Sequence, residues 1–317
     1  MHRVATLSGE ATLSGDVPHV DCVLVVVTYN NAPSLGPMLA SMPGACGSLS
    51  SRCIVVDNAS SDDTVAVARA HADVILVEAG RNLGYSGAIN LGRSVAGPHS
   101  SLLIVNPDVV LAPGAVEHLH EALDDPDVGI AVPNLCNADD KVYLTMREDP
   151  SVTRTLGDAL FGARLAWRPG WLSEPIRDLS AYAEPRDAAW ASGAVMLISA
   201  ACDTAVGAWD SSRFFLYAEE TDYAIRARSC GYRVRYVPSA RVRHEEGGSG
   251  RSPALLALLS VNRVRCYEKH HRPPATVLFR ASVALGHLLR AFRPSERAAL
   301  LVLCRRSSWG ALPGGVE

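Results

Sequence analysis

Leu102-Leu103-Ile104-Val105 runs straight into Asn106-Pro107-Asp108, and this junction leaves the chain few folds to adopt. Four apolar residues in a row, two of them β-branched, suit a strand buried on both faces, as in a helix-covered, largely parallel sheet. Pro107 has no N–H to give to a ladder and ends the strand. Asn106 and Asp108 are then left on the carboxyl edge of the sheet, where open α/β folds bind ligands. A carboxylate on a sharp turn at that edge can hold a hard divalent cation that also grips phosphates. On local grounds alone, Asp108 can equally be a turn acid that caps the next helix.

The same design recurs along the first half of the chain. Val23–Val27 is a buried strand ending at Thr28-Tyr29-Asn30-Asn31, and residues 33–42 follow with apolar positions at helical spacing. Cys53–Val56 is closed by residues 57–64, where Ser61 or Asp62 can cap a helix through Val65, Ala68 and Ala72. Val74–Val77 leads into residues 81–90, and the opening strand is followed by a helix over 113–124 and a short strand at Gly129–Val132. Strands alternating with helices at this pace predict parallel βαβ units, hence an α/β fold with a doubly wound sheet. Residues 133–190 are less regular and read as loops and helices that shape a cleft. Strands are expected again at 194–199 and through Tyr232, Val234 and Tyr236. Between them a helix enters at 219–222 and ends at Gly231. Residues 253–271 and 275–304 read as helices. The predicted organisation is a tail over 1–20, a domain over 21–250 and a helical extension over 251–317. The tail holds a short echo, residues 5–9 and 11–15, too brief for a repeat architecture; a loose tail or an added edge strand is expected.

Composition removes several function classes. With 48% apolar and 20% charged residues the chain is globular, not disordered. A net charge of −3 without charge runs gives nucleic acid no footprint. The eight cysteines are scattered and form no C-x-x-C pair, which predicts reduced thiols in place of a zinc site or disulfide framework. No apolar run is long enough for a spanning helix and no signal peptide is evident, so a cytoplasmic address is expected.

The strand ends supply the chemistry. Asp57 can accept the imino N–H of a pyrimidine base, Thr28 and Asn30 can flank the base and its ribose, and Gly84 and Gly87 allow close backbone approach to a ligand. Neither a G-x-G-x-x-G after the first strand nor a G-K-[ST] occurs, which sets aside dinucleotide and P-loop sites. Glu219, Glu220 and Asp222 follow the apolar stretch 214–217. Three carboxylates so close raise one another's pKa and can make one a usable base. An acidic first turn favoured by the helix dipole fits the same residues.

Seven segments, taken together, resemble glycosyltransferase family 2, of the GT-A fold, and within it a rhamnosyltransferase-like branch. They are VVVTYNN (25–31), VVDNASSDDT (55–64), RNLGYSGAINLG (81–92), NPDV (106–109), WASGAVMLI (190–198), FFLYAEETDYAIRARSCGYRV (214–234) and VRHEEGGS (242–249). The resemblance covers about residues 23–250. It implies a mixed doubly wound sheet with a Rossmann-like nucleotide-binding half, an acceptor half and C-terminal helices. The implied reaction is inverting transfer of a sugar from a nucleotide diphosphate sugar, with Mg²⁺ or Mn²⁺, onto a glycan or lipid-linked acceptor of the cell envelope. By position, Asp57 resembles the base-reading aspartate, and Thr28, Tyr29 and Asn30 line the nucleoside pocket. Asn58, Asn82, Gly84, Gly87 and Asn90 complete the donor side. Asn106-Pro107-Asp108 stands where the family has D-x-D, so Asp108 becomes a metal ligand and Asn106 a ribose contact. His244 matches a second metal ligand. Glu219-Glu220 falls on the family's Glu-Asp pair, which makes Glu220 the general base; the Glu in place of Asp keeps Glu219 and Asp222 as alternatives.

Met146-Arg147 with Pro150-Ser151 is similar to a segment of the rhamnosyl branch and favours dTDP-rhamnose as donor over UDP-linked sugars. A basic amphipathic stretch within 275–304 (Leu278, Ala281, Ala284, Leu285, Leu288 and Leu289 with Arg280, Arg290, Arg293 and Arg297) can rest on the inner face of an anionic membrane; closing the domain or a homodimer face is the other use for it. Two rival readings are a nucleotidyltransferase, although VVVTYNN lacks the Gly-rich basic loop a triphosphate needs, and a catalytically degenerate sugar-nucleotide binder.

Overall fold

The computed structural model describes residues 4–6, 17–162, 168–192, 194–244 and 252–314. In chain order the strands are β1 (Val4–Thr6), β2 (Val20–Thr28), β3 (Ser51–Asp57), β4 (Val74–Glu78), β5 (His99–Val105), β6 (Val109–Leu111), β7 (Val128–Cys136), β8 (Met146–Arg147), β9 (Arg186–Ala188), β10 (Trp190–Ala191), β11 (Val195–Ser199) and β12 (Arg233–His244). The helices are α1 (Ala32–Cys46), α2 (Thr64–Arg69), α3 (Gly84–Ser94), α4 (Ala115–Glu121), α5 (Val152–Phe161), α6 (Ala200–Val206), α7 (Glu219–Ser229), α8 (Pro253–His270), α9 (Pro273–Leu288) and α10 (Pro294–Cys304).

The large sheet runs β1-β4-β3-β2-β5-β11-β7-β12-β6, with β9 on β12. β2, β3, β4 and β5 are parallel, as the apolar runs predict. β11 then enters antiparallel to both β5 and β7, and β12 returns parallel to β7. The result is a mixed sheet with a parallel half and a half that combines parallel and antiparallel pairs. Both faces are covered. Val23, Val25, Leu102 and Ile104 pack on one side, while Leu24, Val26, Leu103 and Val105 pack on the other. These side chains are almost entirely buried, so every one of them contributes, which is why the runs are continuous and not alternating.

One expectation about the tail is met and three details differ from the sequence reading. The edge strand expected of the tail is present, since β1 pairs with β4; residues 7–16, which hold most of the echo, lie outside the described residues. α1 runs on past residue 42 to Cys46 despite Pro37 and Pro43, because burying Ala45 and Cys46 outweighs helix propensity. β7 continues past Val132 to Cys136, since β12 supplies partners along its length. Finally, 275–304 is two helices. Pro294 forces Arg293 into extended backbone (φ −90°, ψ 128°), which ends one helix and starts the next.

Helices α8–α10 build their own apolar cluster around Val261, Val264, Phe279 and Leu303. That cluster also takes in Phe215, Leu216 and Tyr217, so the C-terminal helices pack against the segment that leads into α7. All eight cysteines are unpaired.

Candidate active site

The carboxyl ends of β2, β3 and β5 open onto a hollow of about 980 Å³, a size suited to a small organic ligand. Two walls of it carry charge. On the first, the register of β6 against β12 sets Val109 opposite His244 and so brings His244 beside Asp108. His244 Nε2 lies 3.3 Å from Asp108 Oδ2. The approach is not a hydrogen bond: His244 Nε2 and Asp108 Oδ1 are both buried without a hydrogen-bond partner. Buried polar atoms without partners are costly. An imidazole nitrogen and a carboxylate facing each other in this way are two ligands suited to a divalent cation, with phosphate oxygens to complete the shell. The Tyr143 ring stands edge-on to His244, 6.3 Å away.

The second wall is the turn into α7. Tyr217 and Ala218 are both left-handed (φ 71° and 69°), a conformation that costs roughly 1–2 kcal/mol for each L-residue. Neighbours hold it. Tyr85 N donates to the Phe215 carbonyl at 2.7 Å, and buried Asn262 of α8 donates its Nδ2 to the Leu216 carbonyl at 2.8 Å. The turn delivers Glu219 and Glu220 to the hollow. Glu219 is buried, and its Oε2 has no partner. Burial first, and the Glu220 charge second, hold its carboxyl well above the usual carboxylate range. Glu220 lines this hollow and also a smaller adjoining one.

Asp222 faces elsewhere. Its carboxylate is bonded to Arg226 at 2.9 Å, and to Lys269 and His270 at 2.8 Å each. Burial would raise this carboxyl, but hydrogen bonds from His270 and Lys269 and the charge of Arg226 bring it down to about 2. An ionised, fully paired carboxylate outside the hollow is a poor proton acceptor, so the expectation of Asp222 as a base is corrected to an ion-pair anchor between α7 and α8. Cys266 and His270 lie within 4.8 Å of it, ligand atom to ligand atom, but the Lys269 ammonium already supplies the positive charge there.

Between the two walls stands Tyr85. Its hydroxyl donates to Asn106 Oδ1 at 2.8 Å. Burial raises its phenol well above the ordinary value, with further contributions from Glu220, Glu219 and Asp108. Those three carboxylates therefore share one neighbourhood. Asn106 has its amide oxygen committed to Tyr85 and keeps its amide N–H₂ for a ligand.

The residues expected on the donor side divide into two groups. Tyr29, Asn30, Asn58 and Asn82 line the hollow, with Asn106 and Asp108. Thr28 and Asp57 lie beneath it. The Asp57 carboxylate accepts from the Thr28 hydroxyl at 3.1 Å, from Ser60 N at 3.0 Å and from the Ser60 hydroxyl at 2.5 Å, so it shapes the strand end and has little capacity left over. Three expectations are corrected. Asn90 spends its amide on both backbone groups of Trp209, at 2.8 and 2.9 Å. Gly84 (φ 74°) makes room for the chain itself, since a Cβ there would sit 2.4 Å from the Phe215 carbonyl oxygen. Gly87 likewise faces Leu83 and Ser211. Asn58 lines the wall while its own amide staples Leu83 N and Gly84 O at 3.0 Å each. The sequence reading did not single out Tyr85, Tyr143, Ser192 or Tyr217, and it named Arg147 only as part of a rhamnosyl-like segment; all five line the hollow. Tyr85 and Tyr217 lie inside family-like segments, which is the signal that could have found them.

A mixed sheet with a charged hollow at its carboxyl edge defines the GT-A glycosyltransferase fold. Solved structures that superpose on it agree. GalNAc-T7 with UDP, GalNAc and Mn²⁺ matches with a TM-score of 0.56 at 16% identity over 78% of this chain, which spans about half (48%) of that structure. The mannosyltransferase PcManGT from Pyrobaculum calidifontis, in complex with GDP-Man and Mn²⁺, matches with a TM-score of 0.52 at 19% identity, covering 94% of this chain and 78% of that one. The chain itself belongs to glycosyl transferase family 2, whose family model matches residues 23–179. The N-acetylglucosaminyl-diphospho-decaprenol L-rhamnosyltransferase of Mycobacterium tuberculosis is 31% identical over 301 residues, 87% of this chain and 96% of that protein. The low-salt glycan biosynthesis hexosyltransferase Agl10 of Haloferax volcanii is 25% identical over 211 residues, 66% of this chain and 62% of that one. The protein is thus a glycosyltransferase, and the nucleotidyltransferase alternative falls away.

Proposed function

We propose that this glycosyltransferase moves a deoxysugar, rhamnose from dTDP-rhamnose, with inversion onto a hydroxyl of a sugar carried on a lipid diphosphate. The observation that carries the reading is the pair of walls just described: Asp108 with His244 on one, Glu220 on the other, and Tyr85 between. The likeness to the M. tuberculosis rhamnosyltransferase over nearly its whole length supports the choice of donor and acceptor.

In this reading the nucleoside lies against Tyr29, Asn30, Asn58 and Asn82, and the Asn106 amide donates to the ribose or the adjoining phosphate. Asp108 and His244 would hold Mg²⁺ or Mn²⁺, whose Lewis acidity would offset charge on the departing diphosphate. Glu220 takes the proton of the acceptor hydroxyl as its oxygen bonds to the anomeric carbon, on the face opposite the breaking bond to the diphosphate. Positioned bases of this kind contribute about 10²–10⁴-fold. Glu219, held protonated, limits repulsion beside Glu220 and can donate a hydrogen bond.

The outer face of α9 and the turn after it expose Leu278, Leu288, Leu289 and Phe292 beside exposed Arg293 and Arg297. Apolar anchors flanked by guanidiniums suit the surface of an anionic membrane, where a lipid-linked acceptor resides. Arg280 is excluded from this role because it donates to the carbonyls of Leu303 and Cys304. Among the described residues no helix is long and apolar enough to cross a membrane. A second copy of the chain could cover the same face, and co-sedimentation with anionic vesicles against sedimentation velocity in buffer separates the two.

The test is transfer from dTDP-rhamnose to a short-chain N-acetylglucosaminyl diphosphate lipid, with Mn²⁺, Mg²⁺ or chelator. One equivalent of dTDP for each inverted linkage is expected, and none with chelator. Activity undiminished by chelator, retention of anomeric configuration, or donor binding without transfer to any acceptor would each overturn a named part of the reading.

A further inference from the structure

Among the described residues lining the main hollow, Arg147 is the only lysine or arginine. It sits on β8, opposite Trp190 of β10, and its carbonyl is occupied by Ala189 N at 3.1 Å. Its guanidinium makes no hydrogen bond or ion pair with any described residue. The charges around it do not cancel. Glu174 is nearby but is bonded at 2.7 Å to Arg263, and Asp158, farther out, is bonded to Arg168. Two guanidiniums therefore share one carboxylate, and one positive charge is left at the edge of the hollow. Burial lowers the Arg147 pKa, with Glu174 opposing and Arg263 reinforcing the shift. A half-buried cation with open donors is a site for an anion, because five N–H groups in a fixed fork match phosphate geometry.

The position decides which anion. Arg147 stands opposite Trp190 of β10, and Trp190 lines a second hollow. Arg147 therefore lies on the side of the main hollow that adjoins this smaller one of about 180 Å³, whereas Asp108 and His244 line only the main one. That second hollow is lined by Pro150, Trp190, Leu259 and Phe279 and shares Ser192, Tyr217 and Glu220 with the first. A molecule approaching Glu220 from this side meets an apolar pocket and a guanidinium that has no hydrogen-bond or ion-pair partner among the described residues.

We infer that Arg147 is the anion-binding residue of the acceptor side, where it grips a phosphate oxygen of an acceptor whose sugar is carried on a diphosphate. The inference rests on the acceptor reading above and adds the residue that discriminates phosphorylated from neutral acceptors. The experiment is calorimetric binding to the full chain, without donor, of two probes: a short-chain N-acetylglucosaminyl diphosphate lipid and the same glycosyl lipid lacking phosphate. Wild type is expected to prefer the diphosphate probe by at least about tenfold. Arg147→Ala should abolish that preference with unchanged affinity for the neutral probe and for dTDP-rhamnose, and Arg147→Lys should restore part of it. The unchanged neutral probe also reports that the variant is folded. Equal loss on both probes, no loss on either, or a loss on dTDP-rhamnose would each overturn the inference, the last by assigning Arg147 to the donor diphosphate. These arms need no turnover. A wild type that transfers no rhamnose but still discriminates the probes through Arg147 would sink the donor reading and leave this one standing.

Discussion

Asn262→Leu tests whether the C-terminal helices hold the catalytic turn. Asn262 is wholly buried on α8 and donates to the Leu216 carbonyl at 2.8 Å, directly before the two left-handed residues Tyr217 and Ala218. Leucine has nearly the same shape, so little cavity forms, but the carbonyl loses its partner. A buried acceptor left unpaired costs roughly 1–3 kcal/mol, comparable to the roughly 1–2 kcal/mol of strain in each of the two residues it restrains. The urea midpoint should fall by that amount at constant m-value. Release of the turn should also move Glu220, and misplacement by about 1 Å can cost up to about 10²-fold in turnover. Donor affinity should stay as in wild type, since the donor-side residues lie on other elements. Measured kcat, donor affinity and urea stability together decide the matter. A variant that loses stability but keeps wild-type kcat would refute the idea that α8 positions the turn.

Other substitutions separate the roles of the acids. Glu220→Gln should lower kcat by about 10²–10⁴-fold and preserve donor affinity; wild-type turnover in this variant would move the base elsewhere. Asp108→Ala should abolish transfer and, in a thermal-shift titration, remove the extra stabilisation by donor that Mn²⁺ confers. Gly84→Ala should destabilise by more than about 1 kcal/mol, because its φ is 74° and the added Cβ would meet backbone at Phe215; equal denaturation midpoints would contradict this. Asp222 is held at about 2 against an ordinary 3.8, a folded-state pKa below the unfolded one. Its contribution, about 2 kcal/mol, is therefore full above pH 4 and disappears as pH falls through about 2. Asp222→Asn should lose this acid dependence in urea titrations yet retain transfer near neutrality, where loss of turnover without loss of stability would restore Asp222 as the base.

Much of the molecule could be read without coordinates because the relevant physics is local. Runs such as Leu102–Val105 have to be buried on both faces, and Pro107 has to stop the strand, so Asn106 and Asp108 arrive at a sheet edge whatever the rest of the chain does. The alternation of strands and helices then limits the topology, and seven spaced segments mark the family. Local sequence also brings Glu219 and Glu220 to the start of a helix.

Which polar residue faces the hollow depended on atoms far away in the chain. Asn82 and Asn90 look alike in the sequence, but Trp209 occupies the amide of Asn90. Gly84 is a glycine because of Phe215, and Asp222 is an anchor because Lys269 and His270 come from α8 to meet it. Arg147 stood out in the sequence only as part of a rhamnosyl-like segment; its place as a cation on the hollow emerged once Glu174 and Asp158 proved to be paired with Arg263 and Arg168. The sequence by itself determined the long apolar strands, their covered faces and the sheet edge that carries the candidate site, since burial and backbone chemistry act over a few residues. Only the tertiary structure decided which donors and acceptors are used up by the fold and which are left for a substrate, because a hydrogen bond or ion pair has a partner on another element, and that partner claims it.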